Sequence, residues 1–108
     1  MGRKVTDRRE RLKAMIEARP EEAFPRYGLA MEHKGAGELE EALPLFQELL
    51  ELHPGYLPAY YHFGTTLRAL EDHERAREVY QKGIRVAEEK GETHAREELQ
   101  EALEELTG

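Results

Sequence analysis

The sequence predicts an all-α solenoid of about six antiparallel helices arranged as stacked hairpins, and three observations point to it. The first is an internal repeat at 34 residues: Pro20 falls on Pro54, Tyr27 on Tyr61, Leu29-Ala30 on Phe63-Gly64, Ala42 on Ala76, Phe46 on Tyr80 and Gln47 on Gln81. A fixed period of this length marks units too small to bury their own apolar faces, so that each must stack on a neighbour. The second is composition: two Asp stand beside 21 Glu, and Asn is absent. Glu suits a helix interior better than the short side chains that compete for backbone hydrogen bonds. The third is apolar spacing of three and four within each unit, which gathers those residues on one helical face.

Residues 6–19 form the first expected helix, capped by Thr6 or Asp7, with Leu12, Met15 and Ile16 on one face and Pro20 as its stop. A first full repeat follows over 23–56. Its leading helix opens near Pro25, whose fixed φ and missing N–H suit a first turn, and runs through Leu29, Ala30 and His33 to Gly35 and Gly37. The partner helix begins near Glu40 and carries Ala42, Leu45, Phe46, Leu49, Leu50 and Leu52 up to His53-Pro54, with Pro44 close enough to the start to cost little.

A second repeat spans 57–90. Pro58 opens a helix through Tyr60, Phe63, Gly64 and Leu67, a tight turn falls at Glu71-Asp72-His73, and the partner helix carries Ala76, Val79, Tyr80, Gly83, Ile84 and Val86. Glu88 stands where Pro54 closes the first repeat, so this helix is expected to run on to Lys90 before Gly91. Residues 91–106 complete the single domain as a capping helix with Ala95, Leu99, Ala102, Leu103 and Leu106 on one face. Ala30, Gly64, Ala42 and Ala76 are small where the two helices of a hairpin approach, and a large residue there is expected to wedge them apart.

Charge narrows the function. Residues 1–19 hold seven Lys/Arg against three Asp/Glu and the rest nine against twenty, giving a head of +4 on a body of −11. An acidic body opposes nucleic-acid binding, which needs clustered cations. The sequence has no apolar run of membrane-spanning length and no secretory stretch at its start, so neither membrane nor export is expected and a cytoplasmic setting is. His33, His53, His62, His73 and His94 lack the spacing that puts two imidazoles on one face, so no metal is expected. Gly35-Ala36-Gly37 lacks the Lys-Ser/Thr of a phosphate loop, and no nucleophile motif occurs. Neither cofactor nor catalytic residue is expected, and binding rather than enzymatic chemistry is.

At Leu29-Ala30, Ala42, Phe46 and Pro54, and again at Phe63-Gly64, Ala76 and Tyr80, the chain resembles the tetratricopeptide repeat family. It departs from that pattern at Arg26 and Tyr60, where the family usually has Trp, at His33, where a bulky apolar residue is usual, and at Gly83, where Ala is usual. The resemblance implies a scaffold for protein partners whose leading helices line a concave groove. Carried onto this chain, it places Tyr27, Met31 and Lys34 in the groove from one repeat and Tyr61, His62, Thr65 and Arg68 from the other, with Arg96 and Gln100 joining from the last helix. Such a groove is basic and aromatic, which suits an extended peptide offering a carboxylate and an apolar side chain.

The family's chaperone-tail binders use a Lys and Asn pair where this chain has Tyr27 and Met31, so that tail is not the expected ligand. A plainer reading makes Tyr27 and Tyr61 packing residues and pairs Lys34 and Arg68 with nearby Glu. A different function, head-to-tail self-assembly, follows from the basic first helix and the acidic last one with Glu97, Glu98, Glu101, Glu104 and Glu105. A monomer, with weak self-association at most, is the expected state.

Overall fold

The computed structural model describes residues 3–107. Six helices follow one another: α1 (Arg3–Ala18), α2 (Ala23–Gly35), α3 (Leu39–Leu52), α4 (Leu57–Ala69), α5 (His73–Lys90) and α6 (Thr93–Thr107). Two to four residues connect each pair, and connections that short make sequential helices neighbours. Each helix packs on the next, and α4 also meets α6. Among the described residues, no helix is long and apolar enough to cross a membrane.

One core runs through the stack, built from Ala30, Ala42, Phe46, Leu49, Ala59, Tyr60, Phe63, Leu67, Ala76, Tyr80, Leu99 and Ala102. The small residues are there for room. A Cβ on Gly64 would overlap the Tyr80 ring, and one on Gly83 would come within 2.7 Å of Tyr60 Cβ and 2.9 Å of Leu99 Cδ1. Gly83, a departure from the family pattern, is thus the place where α4 and α6 both press on α5. The closest approach at Gly64 is ring against backbone rather than helix against helix.

Three turns share one hydrogen-bond pattern. After α2, Gly37 N–H donates to the Lys34 carbonyl and Glu38 N–H to that of His33, at 3.0 and 2.9 Å. After α4, Glu71 and Asp72 donate to Arg68 and Leu67 at 2.8 and 2.9 Å, and after α5 Gly91 and Glu92 donate to Glu88 and Ala87. These are Schellman closures, which need a left-handed residue. Gly37 (φ 78°), Glu71 (φ 64°) and Gly91 (φ 70°) supply it. Asp72 then caps α5, its Oδ1 accepting from the Arg75 N–H at 3.3 Å.

The residues at the family's Trp position keep one role by different chemistry. Tyr60 donates its hydroxyl to the Pro54 carbonyl at 2.6 Å, and 34 residues earlier the Arg26 guanidinium donates to the Pro20 carbonyl. Each ties the start of a leading helix back to the proline that ended the preceding one.

Several expectations need correction. Helix α1 begins at Arg3, so Thr6 and Asp7 lie inside it rather than capping it. Pro44 sits in the second turn of α3, where its ring removes the N–H that would reach the Glu40 carbonyl, and the helix continues through it. Of the expected apolar face of α1 only Leu12 is buried, packed so closely on Gly28 that a Cβ there would come within 3.2 Å of Leu12 Cδ2, whereas Met15 is 41% exposed. Ion pairs also join α1 to the first hairpin: Arg8 meets Glu32 at 3.0 Å and Arg9 meets Glu38 at 2.8 Å. Leu52, expected in the α3 stripe, is half exposed.

Candidate functional site

The leading helices α2 and α4 bring an aromatic cluster to one face. The Tyr27 ring lies 5.2 Å from that of Tyr56 and 6.1 Å from that of His62, and Tyr61 meets His62 edge-on at 5.3 Å. Beside it opens a cleft of about 590 Å³ lined by Tyr56, Leu57, Pro58, Tyr61 and His62 on one side and by Ala95, Glu98 and Leu99 of α6 on the other. Tyr27 and Met31 are half-buried and pack on the core. Tyr61 is 37% exposed, which leaves an aromatic face open to a ligand.

Lys34 joins this cluster through His62. Its Nζ lies 2.9 Å from His62 Nδ1 and 2.8 Å from Thr65 Oγ1. The Thr65 hydroxyl spends its own hydrogen on the His62 carbonyl at 3.1 Å, leaving a lone pair to accept from the amine. Burial pushes the Lys34 amine below the ordinary lysine range. Burial first, and then the Lys34 charge, hold His62 below its ordinary value, with Glu98 opposing. A neutral imidazole accepting through Nδ1 agrees with both. Among the described residues Lys34 belongs to no ion pair.

The other expected cations are placed differently. Arg68 lies 3.6 Å from Glu105 of α6, a pairing across helices rather than along one. Arg96 does not join the groove: it donates to Gln100 at 3.2 Å and lines a separate depression with Ala87, Glu88, Gly91 and Thr93. Helix starts explain the displacement. Leu57 follows Ala23 by 34 residues, but Thr93 follows Leu57 by 36, because α5 runs on past the point where α3 stops. With that two-residue shift, buried Leu99 and Ala102 match buried Phe63 and Thr66. Glu98 and Glu101 then take the positions of His62 and Thr65, and Arg96 falls at the position of Tyr60. Consequently the third wall of the groove is acidic, with Glu98, Glu101 and Glu105 beside Tyr61. The groove expected to be basic and aromatic is so on α2 and α4, whereas its α6 wall is acidic.

Beneath this wall lies Tyr80, fully buried, its hydroxyl without a partner among the described residues. Burial, with Tyr61 adding and Arg68 opposing, pushes its phenol up to about 12. Tyr56 was missed by the sequence because it sits in the connection before α4, outside the helical positions that the groove pattern names. A Tyr directly ahead of Leu57-Pro58 is the signal that marks it.

Known proteins agree with this architecture. The tetratricopeptide repeat profile matches residues 27–89. An uncharacterized protein of Methanocaldococcus jannaschii is 37% identical over 68 residues, covering 63% of this chain and 77% of that one. The crystal structure of a tetratricopeptide repeat domain protein from Salinibacter ruber superposes with a TM-score of 0.75 at 39% identity, over 81% of this chain and 98% of that one. A domain of yeast Sti1, solved in complex with pHsp70, reaches a TM-score of 0.85 over 92% of this chain and 79% of that one, and at 18% identity this is a likeness of fold. With the helical hairpins, the small-residue contacts and the matched profile in agreement, the chain belongs to the tetratricopeptide repeat family.

Proposed function

We propose that this chain is a non-enzymatic protein-interaction module that holds an extended segment of a partner along the face formed by α2, α4 and α6. The fold supports an interaction module in general. The observation that carries the finer reading is the open cleft beside Tyr56, Tyr61 and His62, where exposed aromatic surface meets polar groups that are not already neutralised. An apolar side chain of the partner fits against Tyr56, Leu57, Tyr61 and Leu99. A carboxylate fits at Lys34, which among the described residues has only neutral partners.

Head-to-tail assembly draws on the cations of α1, and the structure occupies two of them: Arg8 and Arg9 are held by Glu32 and Glu38 of the same chain. The groove therefore comes first. The test is selection from a displayed library of random peptides, followed by titration of the enriched sequence against wild type, Tyr61→Ala and Lys34→Ala, each checked for equal helicity. Enrichment of sequences joining an apolar and an acidic residue, with affinity lost about tenfold or more in Tyr61→Ala, is expected. Undiminished affinity in both variants contradicts the proposal.

A further inference from the structure

The Lys34 amine is arranged as a nucleophile. A neutral amine has two N–H groups and one lone pair, and with His62 in its Nε2–H tautomer the two neighbours of Nζ are both acceptors: His62 Nδ1 at 2.9 Å and Thr65 Oγ1 at 2.8 Å. Using both hydrogens leaves the lone pair directed away from these partners. The protonated form has a third N–H and meets no carboxylate among the ion pairs of the described residues, so the surroundings favour the uncharged amine more than at an exposed lysine.

We propose that Lys34 is a site of acylation by activated acyl donors, acyl phosphates or acyl thioesters, with His62 receiving the proton. The amine nitrogen attacks the acyl carbon and forms an N–C bond. The C–O bond to phosphate or the C–S bond to the thiol breaks, and its electron pair departs with the leaving group. The displaced proton passes to His62 Nδ1, already within hydrogen-bond reach, and from there to solvent. No oxidant or reductant is involved. The product is a neutral amide, which removes a cation that lacks a carboxylate partner among the described residues. The burial that depresses the Lys34 amine adds to the geometry by enlarging the reactive fraction near neutral pH. The titratable groups facing this pair are Tyr27 of α2, Tyr61 of α4 and Glu98 of α6.

The experiment exposes the wild-type chain to acetyl phosphate in one arm and acetyl coenzyme A in the other and follows each lysine by peptide mass spectrometry. Lys82, exposed on α5, is the internal reference. Lys34 is expected to acetylate severalfold faster than Lys82 in at least one arm, which also identifies the donor class, and to keep its advantage at lower pH. His62→Gln, which can accept the hydrogen bond but not the proton, is expected to abolish that advantage while leaving Lys82 unchanged. A Lys34 rate no greater than that of Lys82 in both wild-type arms overturns the proposal, and that result needs no variant to fold. A Lys34 rate unaltered in a normally helical His62→Gln overturns the part assigned to His62.

Discussion

The hairpin α2–α3 and the hairpin α4–α5 solve one packing problem with different residues. Where the first sets Ala30 and Phe46, the second sets Gly64 and Tyr80, and all four are buried. In the second, the larger ring occupies the space a Cβ would need, and a hydroxyl is buried without a partner among the described residues. The first carries Pro44 inside its second helix, where the second has Glu78. The first closes its turn with Gly37 and the second with Glu71, which holds a left-handed conformation against its own Cβ. Local strain is thus divided between them: a helix interior in one, a turn and a tight ring contact in the other. A repeat fixes which positions must be small or left-handed, and leaves open which partner accommodates the exception.

The ring contact is the first place to break this comparison. Gly64→Ala is expected to cost about 3 kcal/mol, because the Tyr80 ring is fully buried and cannot move aside cheaply. Ala30→Gly in the first hairpin is expected to cost only about 1 kcal/mol, mostly through helix propensity. Urea denaturation measures both, and equal costs would remove the distinction.

Tyr80 makes the second hairpin sensitive to alkali, and the sign follows from its phenol. The folded chain holds that proton up to about 12 while the unfolded chain releases it near the ordinary phenol value of 10.0. Stability from this group is whole below the lower value and is lost as pH rises from one to the other, by up to about 3 kcal/mol. Tyr80→Phe is expected to flatten the fall in denaturation midpoint across that range. Tyr27 and Tyr60, raised in the same direction by burial, leave a smaller residual slope. A slope unchanged in Tyr80→Phe would assign the effect to those two instead.

Smaller effects sharpen the contrast. Pro44 is exposed, so Pro44→Ala restores a helical N–H with no loss of packing and is expected to stabilise by about 1–2 kcal/mol after allowing for the freer unfolded chain. Glu71→Gly is expected to stabilise by about 1 kcal/mol and Gly37→Ala to destabilise by a similar amount, since only one of those turns now carries a side chain in left-handed backbone. Thermal melts of the two turn variants moving in the same direction would contradict the equivalence of the turns.

The period of 34 made the stack legible because packing constrains both hairpins alike: Gly64 must be small, Phe46 and Tyr80 must fill, and Pro20 and Pro54 must stop helices. It could not place α6. The registry of that helix depends on how far α5 runs before Gly91 closes it, which is settled by a turn rather than by the repeat, and the two-residue shift exchanged Arg96 for Glu98 at the groove. Likewise, the pairing of Arg68 with Glu105 and the enclosure of Lys34 by His62 and Thr65 depend on neighbouring helices. The sequence shows which side chains reach a face, and only the packing shows which of them arrive already partnered.

The most direct test is an amide chemical-shift map of the isotope-labelled chain titrated with a peptide selected from the displayed library. Binding along α2, α4 and α6 is expected to move the signals of Tyr27, Tyr61, His62, Ala95 and Glu98 together and to leave those of α1 and the outer faces of α3 and α5 in place. Shifts confined to α1, or to the groove between α3 and α5 around Leu50, Arg75 and Val79, would contradict the concave face as the binding surface.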